Sequence, residues 1–366
     1  MTGLSVLHTE SSCGWGGQEL RIITEAEGFG RRGHDVCIAA PPESRIFAEA
    51  EKRGIPVMSL AIARKGLAGV RATRQAVLAR PWSVINSHSS TDSWLAALAL
   101  ATVAHVRRAP LVRTRHVSAP ISGNAATRWL YGSATAHVVT TGEALRRQVI
   151  EEARLDPARV TSVPTGIDLD RFSPGDRINA REQMSLPQDR FIIGIVATLR
   201  SWKGHRFLVD AIAAMGDKRV LLVIVGDGPG RDNLRAQVRA LGLEDQVRMP
   251  GNQDEVSPWL RAFDVFVLPS YANEGVPQSI MQAMACGCPV VSTPVGAIGE
   301  IVMHGKTGLM VAPRDSAALR GVLCKLRDDA ALCATLGAAG LAMATERFAA
   351  VRMVEAMERI FQATLA

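Results

Sequence analysis

Aromatic residues are scarce in this 366-residue chain, with 2 Tyr, 6 Trp and 9 Phe making up 5% of it. So few rings among the arginines leave no stacking platform for nucleic acid. No run of about 18 apolar residues occurs, so no membrane span is expected. The six cysteines (Cys13, Cys37, Cys286, Cys288, Cys324 and Cys333) show neither zinc spacing nor a disulfide framework. They read as small buried hydrophobes of a reducing compartment. The opening MTGLSVLHTE has no basic segment ahead of an apolar signal core and runs directly into a strand pattern. Together these absences point to the cytoplasm. No solenoid-period repeat and no low-complexity tract is found.

What is there is a globular composition, 47% hydrophobic and 21% charged. Single cores stop growing near ~250–300 residues, so the length favours two domains. The net charge of +7 is unevenly placed. Residues 1–172 hold 21 Lys and Arg against 15 Asp and Glu, whereas residues 173–366 hold 21 against 20. The densest basic cluster is RRAPLVRTRH at 107–116, with Arg107, Arg108, Arg113 and Arg115. Such a face attracts an anionic membrane, a phosphorylated substrate or nucleic acid; a plain solvated face is the other reading.

Short β-branched runs alternate with longer helical patterns, the mark of parallel sheets flanked by helices. Strands are expected at 4–8, 35–40, 83–87, 110–114 and 136–140, with helices between them, as at 17–30 and 92–104. A second cycle places strands at 190–199, 219–226, 245–249, 264–270 and 289–293. The polar, Pro- and Gly-punctuated stretch 171–190 reads as a connector. The predicted organisation is a doubly wound domain over 1–172, a second over 173–346, and a C-terminal helix over 347–366. That helix carries an apolar face of Ala350, Met353, Met357 and Ile360. Two such domains in tandem place a cleft at the carboxyl ends of their strands.

Four stretches can carry chemistry. In TESSCGWGGQE (9–19), Gly14, Gly16 and Gly17 let backbone N–H groups approach an anion before a helix start; a tight turn needing positive φ is the alternative. In ATLRSWKGH (197–205), Arg200 and Lys203 follow a strand end, where two cations suit a diphosphate leaving group. VGDGPG (225–230) places Gly226, Gly228 and Gly230 between a strand and a helix. In EGVPQSIMQAMACGCPVV (274–291), Gly275 and Pro277 form a turn, and the N–H groups of Val276, Pro277's successors Gln278 and Ser279 face outward at the helix start. Glu274 before that turn can bind hydroxyls, and Gln282 one turn in can reach along the helix. Capping and surface roles are the alternatives for these two. His88 after a strand end either lines the cleft or caps a loop, and His8 reads as core. Asp168 and Asp170, in IDLDRF, are not read as metal ligands.

The stretch from EGVPQSIMQAMACGCPVV to TGLMVAP resembles the signature of the retaining, GT-B-fold glycosyltransferases of group 1 or family 4. Supporting segments lie in order along the chain: the early Gly-Gly loop, VVTTGEALRRQVIEEARLDPARVTSVPTGIDLDRFSP (138–174), Lys203-Gly204, and VGDGPG. The resemblance implies the GT-B fold: two Rossmann-like doubly wound domains face a central cleft, the first binding the acceptor and the second the nucleotide sugar. The C-terminal helix packs back toward the N-terminal domain. It implies a retaining hexosyl- or glycosyltransferase that uses a nucleotide-diphosphate sugar as co-substrate, with no cofactor and no metal.

Carried over by position, Gly16 and Gly17 would meet the donor phosphate, Lys203 and Arg200 would neutralise it, and Glu274 would hold hydroxyls of the transferred sugar. Gly226 and the turn from Gly275 through Val276, Pro277, Gln278 and Ser279 complete the donor set. His116 resembles the histidine that contacts the donor sugar, and His88, Arg113 and Arg115 are placed on the acceptor side. Two positions depart from the pattern: Gln282 stands where the family has a second glutamate, and Thr198 where many members have arginine. The basic first half favours an anionic or lipid-linked glycan acceptor, such as lipopolysaccharide core or another bacterial surface glycolipid. It also favours peripheral contact with the inner face of the cytoplasmic membrane and no nucleic acid. The rival readings are a nucleotide-sugar 2-epimerase of the same fold and a non-catalytic nucleotide-sugar binder.

Overall fold

The computed structural model describes residues 3–104, 108–272 and 274–365. The chain folds as two compact units, one of residues 1–166 and 350–366, the other of residues 167–349. The described residues of the first unit form a seven-stranded parallel sheet in the order β3-β2-β1-β4-β5-β6-β7. Its strands are β1 (Ser5–Thr9), β2 (Asp35–Ala40), β3 (Val57–Ser59), β4 (Val84–Ser87), β5 (Leu111–Arg115), β6 (His137–Thr140) and β7 (Val160–Ser162). The second sheet runs β10-β9-β8-β11-β12-β13. It is built from β8 (Phe191–Val196), β9 (Val220–Val225), β10 (Val247–Gly251), β11 (Val265–Leu268), β12 (Val290–Ser292) and β13 (Leu309–Met310).

Helices cover both faces of a parallel sheet, so its central strands are apolar throughout rather than alternating. All six residues of β9, VLLVIV, are buried. The alternation survives in which core each residue enters. Val6, Ile38, Val84 and Val112 pack with the helix Gly17–Arg31. Their neighbours Leu7, Cys37, Ile85 and Leu111 pack with the helices Leu67–Leu78 and Ser90–Ala101 on the other face.

The C-terminal helix Ala350–Ala363 belongs to the first unit, as expected. Met353, Val354, Met357, Ile360 and Phe361 bury against Ile22 and Phe29. Gly28 permits this close approach, since a Cβ there would overlap the Val354 side chain. Arg32 and His34 both reach Glu358 across the pair, at 2.7 and 3.1 Å.

Several expectations need correction. The polar segment 171–190 is no connector: its helix Arg177–Gln183 is capped by Asp176. Buried Arg181 ties that helix to Asp264 at 2.6 Å and to the Ala262 carbonyl at 3.0 Å. The chain instead changes units at 166/167 and 349/350, not after residues 172 and 346. The edge strands β3, β7 and β13, of three, three and two residues, were not foreseen. At the other edge β10 spans 247–251, not 245–249, with a register shift that accommodates Pro250.

Candidate functional site

In an open parallel sheet, the loops leaving two neighbouring strands diverge where the strand order reverses, and ligands bind there. In the second sheet that point lies between β8 and β11. Lys203 follows β8 and Glu274 follows β11. Lys203 ends a short 3-10 turn, Ser201–Lys203, closed by Gly204 with φ +79°. Gly204 is doubly constrained, because a Cβ would also strike the carbonyl of Pro269. That contact, with the Tyr271 amide donating to the Trp202 carbonyl at 2.8 Å, fastens the two loops together.

The fastening brings Lys203 Nζ to 2.7 and 3.0 Å from the two Glu274 carboxylate oxygens. Ser270 Oγ donates to the same carboxylate at 2.6 Å. Glu274 is 4% exposed while the Lys203 side chain keeps 21%, so the pair is anchored from inside and open on the lysine side. A buried carboxylate left unpaired is costly, which is why all these donors converge on it. An ammonium has three donors; two serve Glu274, and one is left for an anion. Gly296 (φ +59°), in the loop after β12, lies so close to the Glu274 carbonyl that only glycine fits. Lys203 and Glu274, assigned separate tasks above, thus hold one another. Glu274 is not a cap: Pro277 begins the helix Gln278–Ala285, with no side-chain cap. Gln282 is half-buried on that helix. Arg200 is exposed, its guanidinium 5.7 Å from the Trp202 ring.

The glycines of VGDGPG serve the fold directly. Gly226 and Gly228 have φ of +137° and +158°, and a Cβ on either would collide with the backbone of Ala197 or Leu199. Their N–H groups are taken: Gly226 donates to Gly251 O, Gly228 to Asp227 Oδ1 and Gly230 to Leu199 O. This turn therefore packs on the backbone of Ala197 and Leu199 and offers no spare donor from these three amides.

The first sheet reverses between β1 and β4. His8 in β1, His88 after β4 and His116 after β5 come from three adjacent strands and join in series. His8 Nδ1 lies 3.0 Å from His88 Nε2, and His88 Nδ1 lies 3.1 Å from His116 Nε2. Burial, with the Arg21 charge second, holds His8 down to about 3. Burial, then the neighbouring His8 and His116, holds His88 well below its ordinary value; burial, then Arg21, does the same for His116. A neutral imidazole has one donor and one acceptor nitrogen. His88 uses both, so the tautomer of His116 is tied to that of His8.

Beside this chain sit two buried acids. Asp92 accepts from Thr9 Oγ1 at 2.8 Å and from the amides of His88 and Ser89 at 2.9 Å each. It forms a capping box with Ser89 for the helix Ser90–Ala101. Burial, then the Asp92 charge, raises Glu10 to about 8. Glu10 accepts from the Ser12 amide at 2.7 Å and from the Gln18 side-chain amide. The glycine loop that follows is not a positive-φ turn: Gly14, Gly16 and Gly17 all lie outside that region. A Cβ on Gly16 would meet only the Glu19 carboxylate at 3.8 Å. Neither strain nor internal crowding requires glycine at 16, the N-cap of the helix Gly17–Arg31.

The basic face expected at 107–116 is not formed by its central pair. Arg113 and Arg115 are 5% and 8% exposed. Arg113 lies 4.4 Å from the Tyr131 ring centroid, and Arg115 donates to Tyr131 Oη at 2.7 Å and to the Ala119 carbonyl. Burial in β5 thus removes both from any acceptor surface, and Arg107 lies outside the described residues. His88, also proposed for the acceptor side, is 3% exposed and is hydrogen-bonded to His116. Asp168 caps its own turn, accepting from the amides of Asp170 and Arg171. Among the described residues, no group of three or more His, Cys, Asp or Glu is placed to hold a metal ion.

Sequence reasoning missed Ser270, Glu10 and Asp92. The Ser89-x-x-Asp92 spacing announces the cap. Ser270 and Glu10 stand one or two residues beyond a strand's carboxyl end, the position a parallel sheet reserves for ligand groups.

The whole arrangement of two such sheets has known relatives. Residues 15–171 match the family described as Glycosyltransferase Family 4, and residues 190–329 the one described as Glycosyl transferases group 1. The chain belongs to these group 1/family 4 glycosyltransferases, with the two parallel α/β units of the GT-B fold. The D-inositol 3-phosphate glycosyltransferase 1 of Catenulispora acidiphila is 31% identical over 287 residues, 71% of this chain and 67% of that protein. The D-inositol 3-phosphate glycosyltransferase of Stackebrandtia nassauensis is 33% identical over 286 residues, 71% of this chain. The chain spans only 63% of that second relative's length. Among solved structures, HepE of Anabaena in complex with UDP has the same fold at 23% identity and a TM-score of 0.84, covering 98% of this chain and 100% of that one.

Proposed function

We propose that this protein transfers a sugar from a uridine diphosphate sugar to a hydroxyl of an anionic acceptor, with retention of configuration and without a metal. The observation that carries the reading is the Lys203–Glu274 pair at the carboxyl ends of β8 and β11. Glu274, fixed by Lys203 and Ser270, positions the sugar's hydroxyls, and positioning rather than nucleophilic attack is its task. The remaining Lys203 donor, Arg200 and the turn Gly275–Ser279 take the diphosphate. Gly226 lets its turn pack on Ala197 at the end of β8, and Gln282 reaches the ribose with an amide where the family pattern has a glutamate. In the first unit, neutral His116 hydrogen-bonds sugar hydroxyls, and the Gly16–Gly17 backbone admits an anion.

In the reaction, the bond from the anomeric carbon to the β-phosphate oxygen breaks as the bond to the acceptor oxygen forms on the same face. The acceptor's proton passes to the departing phosphate, whose charge the cations above stabilise. The uridine base follows HepE, which was solved with UDP. The relatives' names make inositol 3-phosphate the first acceptor to try. A lipid-linked surface glycan such as lipopolysaccharide core, met at the inner face of the cytoplasmic membrane, is the second. Incubation with UDP-glucose and each acceptor, followed by proton NMR of the new anomeric centre, tests the reading. An α-linked product from the α-linked donor is expected. A β-linked product, or an epimerised donor formed without any acceptor, contradicts it.

A further inference from the structure

From Lys52 through Gly142 the sequence has twelve Lys and Arg and a single acidic residue, Asp92. Asp92 is 1% exposed and fully engaged as a cap. This stretch therefore shows solvent no carboxylate. With Arg113 and Arg115 turned inward, its exposed cations include Arg64, Lys65, Arg71, Arg74 and Arg128, with Arg53 and Arg108 further off in the sequence. Lys65 lines an apolar groove of about 300 Å³ between the helices Leu67–Leu78 and Ser90–Ala101, with Leu67, Val70, Trp94, Leu95 and Leu98 as its apolar walls.

The groove's walls are almost wholly apolar. Leu67 is 90% exposed and Leu98 42%, the former being the most exposed large apolar side chain described. On the first helix Leu67, Val70, Arg71 and Arg74 fall three and four apart, so apolar and cationic groups share one stripe. Trp94 and Leu98 form the facing stripe of the second helix. Lys65 Nζ sits 5.6 Å from the Trp94 ring centroid, and Trp94 stacks on Trp129 at 6.2 Å, next to Arg128.

We propose that this groove docks the protein on the surface of an anionic phospholipid bilayer. A site for a soluble phosphate would place donors inside a concave pocket; here the donors stand on the rim and the interior is hydrocarbon. That order matches an interface, where leucine and tryptophan enter the headgroup–acyl boundary and long cations stay level with lipid phosphates. Among the described residues no helix is long and apolar enough to cross a membrane, so the contact is peripheral. It stands on this surface alone and holds or falls independently of the donor site.

The test is cosedimentation of the full chain with vesicles of roughly 30% phosphatidylglycerol in phosphatidylcholine, and of phosphatidylcholine alone, at roughly 0.1 and 0.5 M salt. At the lower salt, binding to the anionic vesicles is expected to exceed binding to the neutral ones at least tenfold. Each of Arg71→Ala and Arg74→Ala should weaken it by about fivefold. The double change Leu67→Ser and Leu98→Ser should weaken it about tenfold at both salts, with UDP-glucose binding unchanged in all variants. Equal binding to both vesicles, or anionic binding untouched by these substitutions, overturns the proposal. So does light scattering that finds a dimer dissolved by Leu67→Ser, which would make the groove an interface between copies. Loss of UDP-glucose binding in the wild type with vesicle binding intact would strike the donor reading alone.

Discussion

The two sheets reverse their strand order in the same way, yet they furnish the reversal point with opposite chemistry. In the second unit the loops meet at an ion pair, Lys203–Glu274, with a lysine donor to spare. In the first they meet at three buried neutral histidines in series, beside Glu10, which burial and then the Asp92 charge raise to about 8. The same topology therefore carries a partly exposed ion pair at one reversal point and a buried, hydrogen-bonded histidine chain at the other.

The sharpest way to break the contrast is Lys203→Ala. It should lower transfer by about 10²–10³-fold, as losing a donor to a developing anion does. It should also cost about 1–3 kcal/mol of stability, less than the loss of a fully buried pair because the lysine is partly exposed. Adding Glu274→Gln should recover part of that loss, and a double-mutant cycle by chemical denaturation measures the coupling.

The first unit should respond to pH instead. His8 is held neutral down to about 3, against 6.5 for the unfolded chain. The unfolded state therefore binds the extra proton first, and stability present above 6.5 is lost as pH falls toward 3. His8→Asn should flatten that acid-side slope in melting curves. Glu10 works in the other direction. Raised to about 8 from 4.5, its neutral form stabilises the fold below 4.5, and that contribution is lost as pH rises to 8. Glu10→Gln should melt a few degrees above the wild type at pH 8 and close to it at pH 4.5. The smallest effect expected is that of Gln282→Glu, a roughly two- to fivefold gain in UDP-sugar affinity from charge-assisted bonds, read by calorimetry.

How far the sequence reaches follows the same division. Strands buried on both faces, such as β9, announce themselves as continuous apolar runs, and the glycines and charges of the second unit sit in contiguous motifs. The pairing of Lys203 with Glu274 does not, because the partners are 71 residues apart and meet only once β8 and β11 are neighbours. The histidine chain is still less visible: His8, His88 and His116 are isolated in sequence, and the order β1-β4-β5 alone brings them together. The segment 171–190 misleads because its stability lies in Arg181 reaching Asp264, a contact no local pattern reveals. Likewise β5 buries two arginines on a ring, so a basic cluster in the sequence is not a basic surface.

On the proposed reading, the charged end in the second unit holds the donor. Calorimetric titration of UDP-glucose into the wild type and the Lys203→Ala and Glu274→Gln variants, without added metal, tests it most directly. Binding by the wild type is expected, with a loss of at least tenfold in affinity for Lys203→Ala and a smaller loss for Glu274→Gln. Wild-type affinity retained by Lys203→Ala would contradict it.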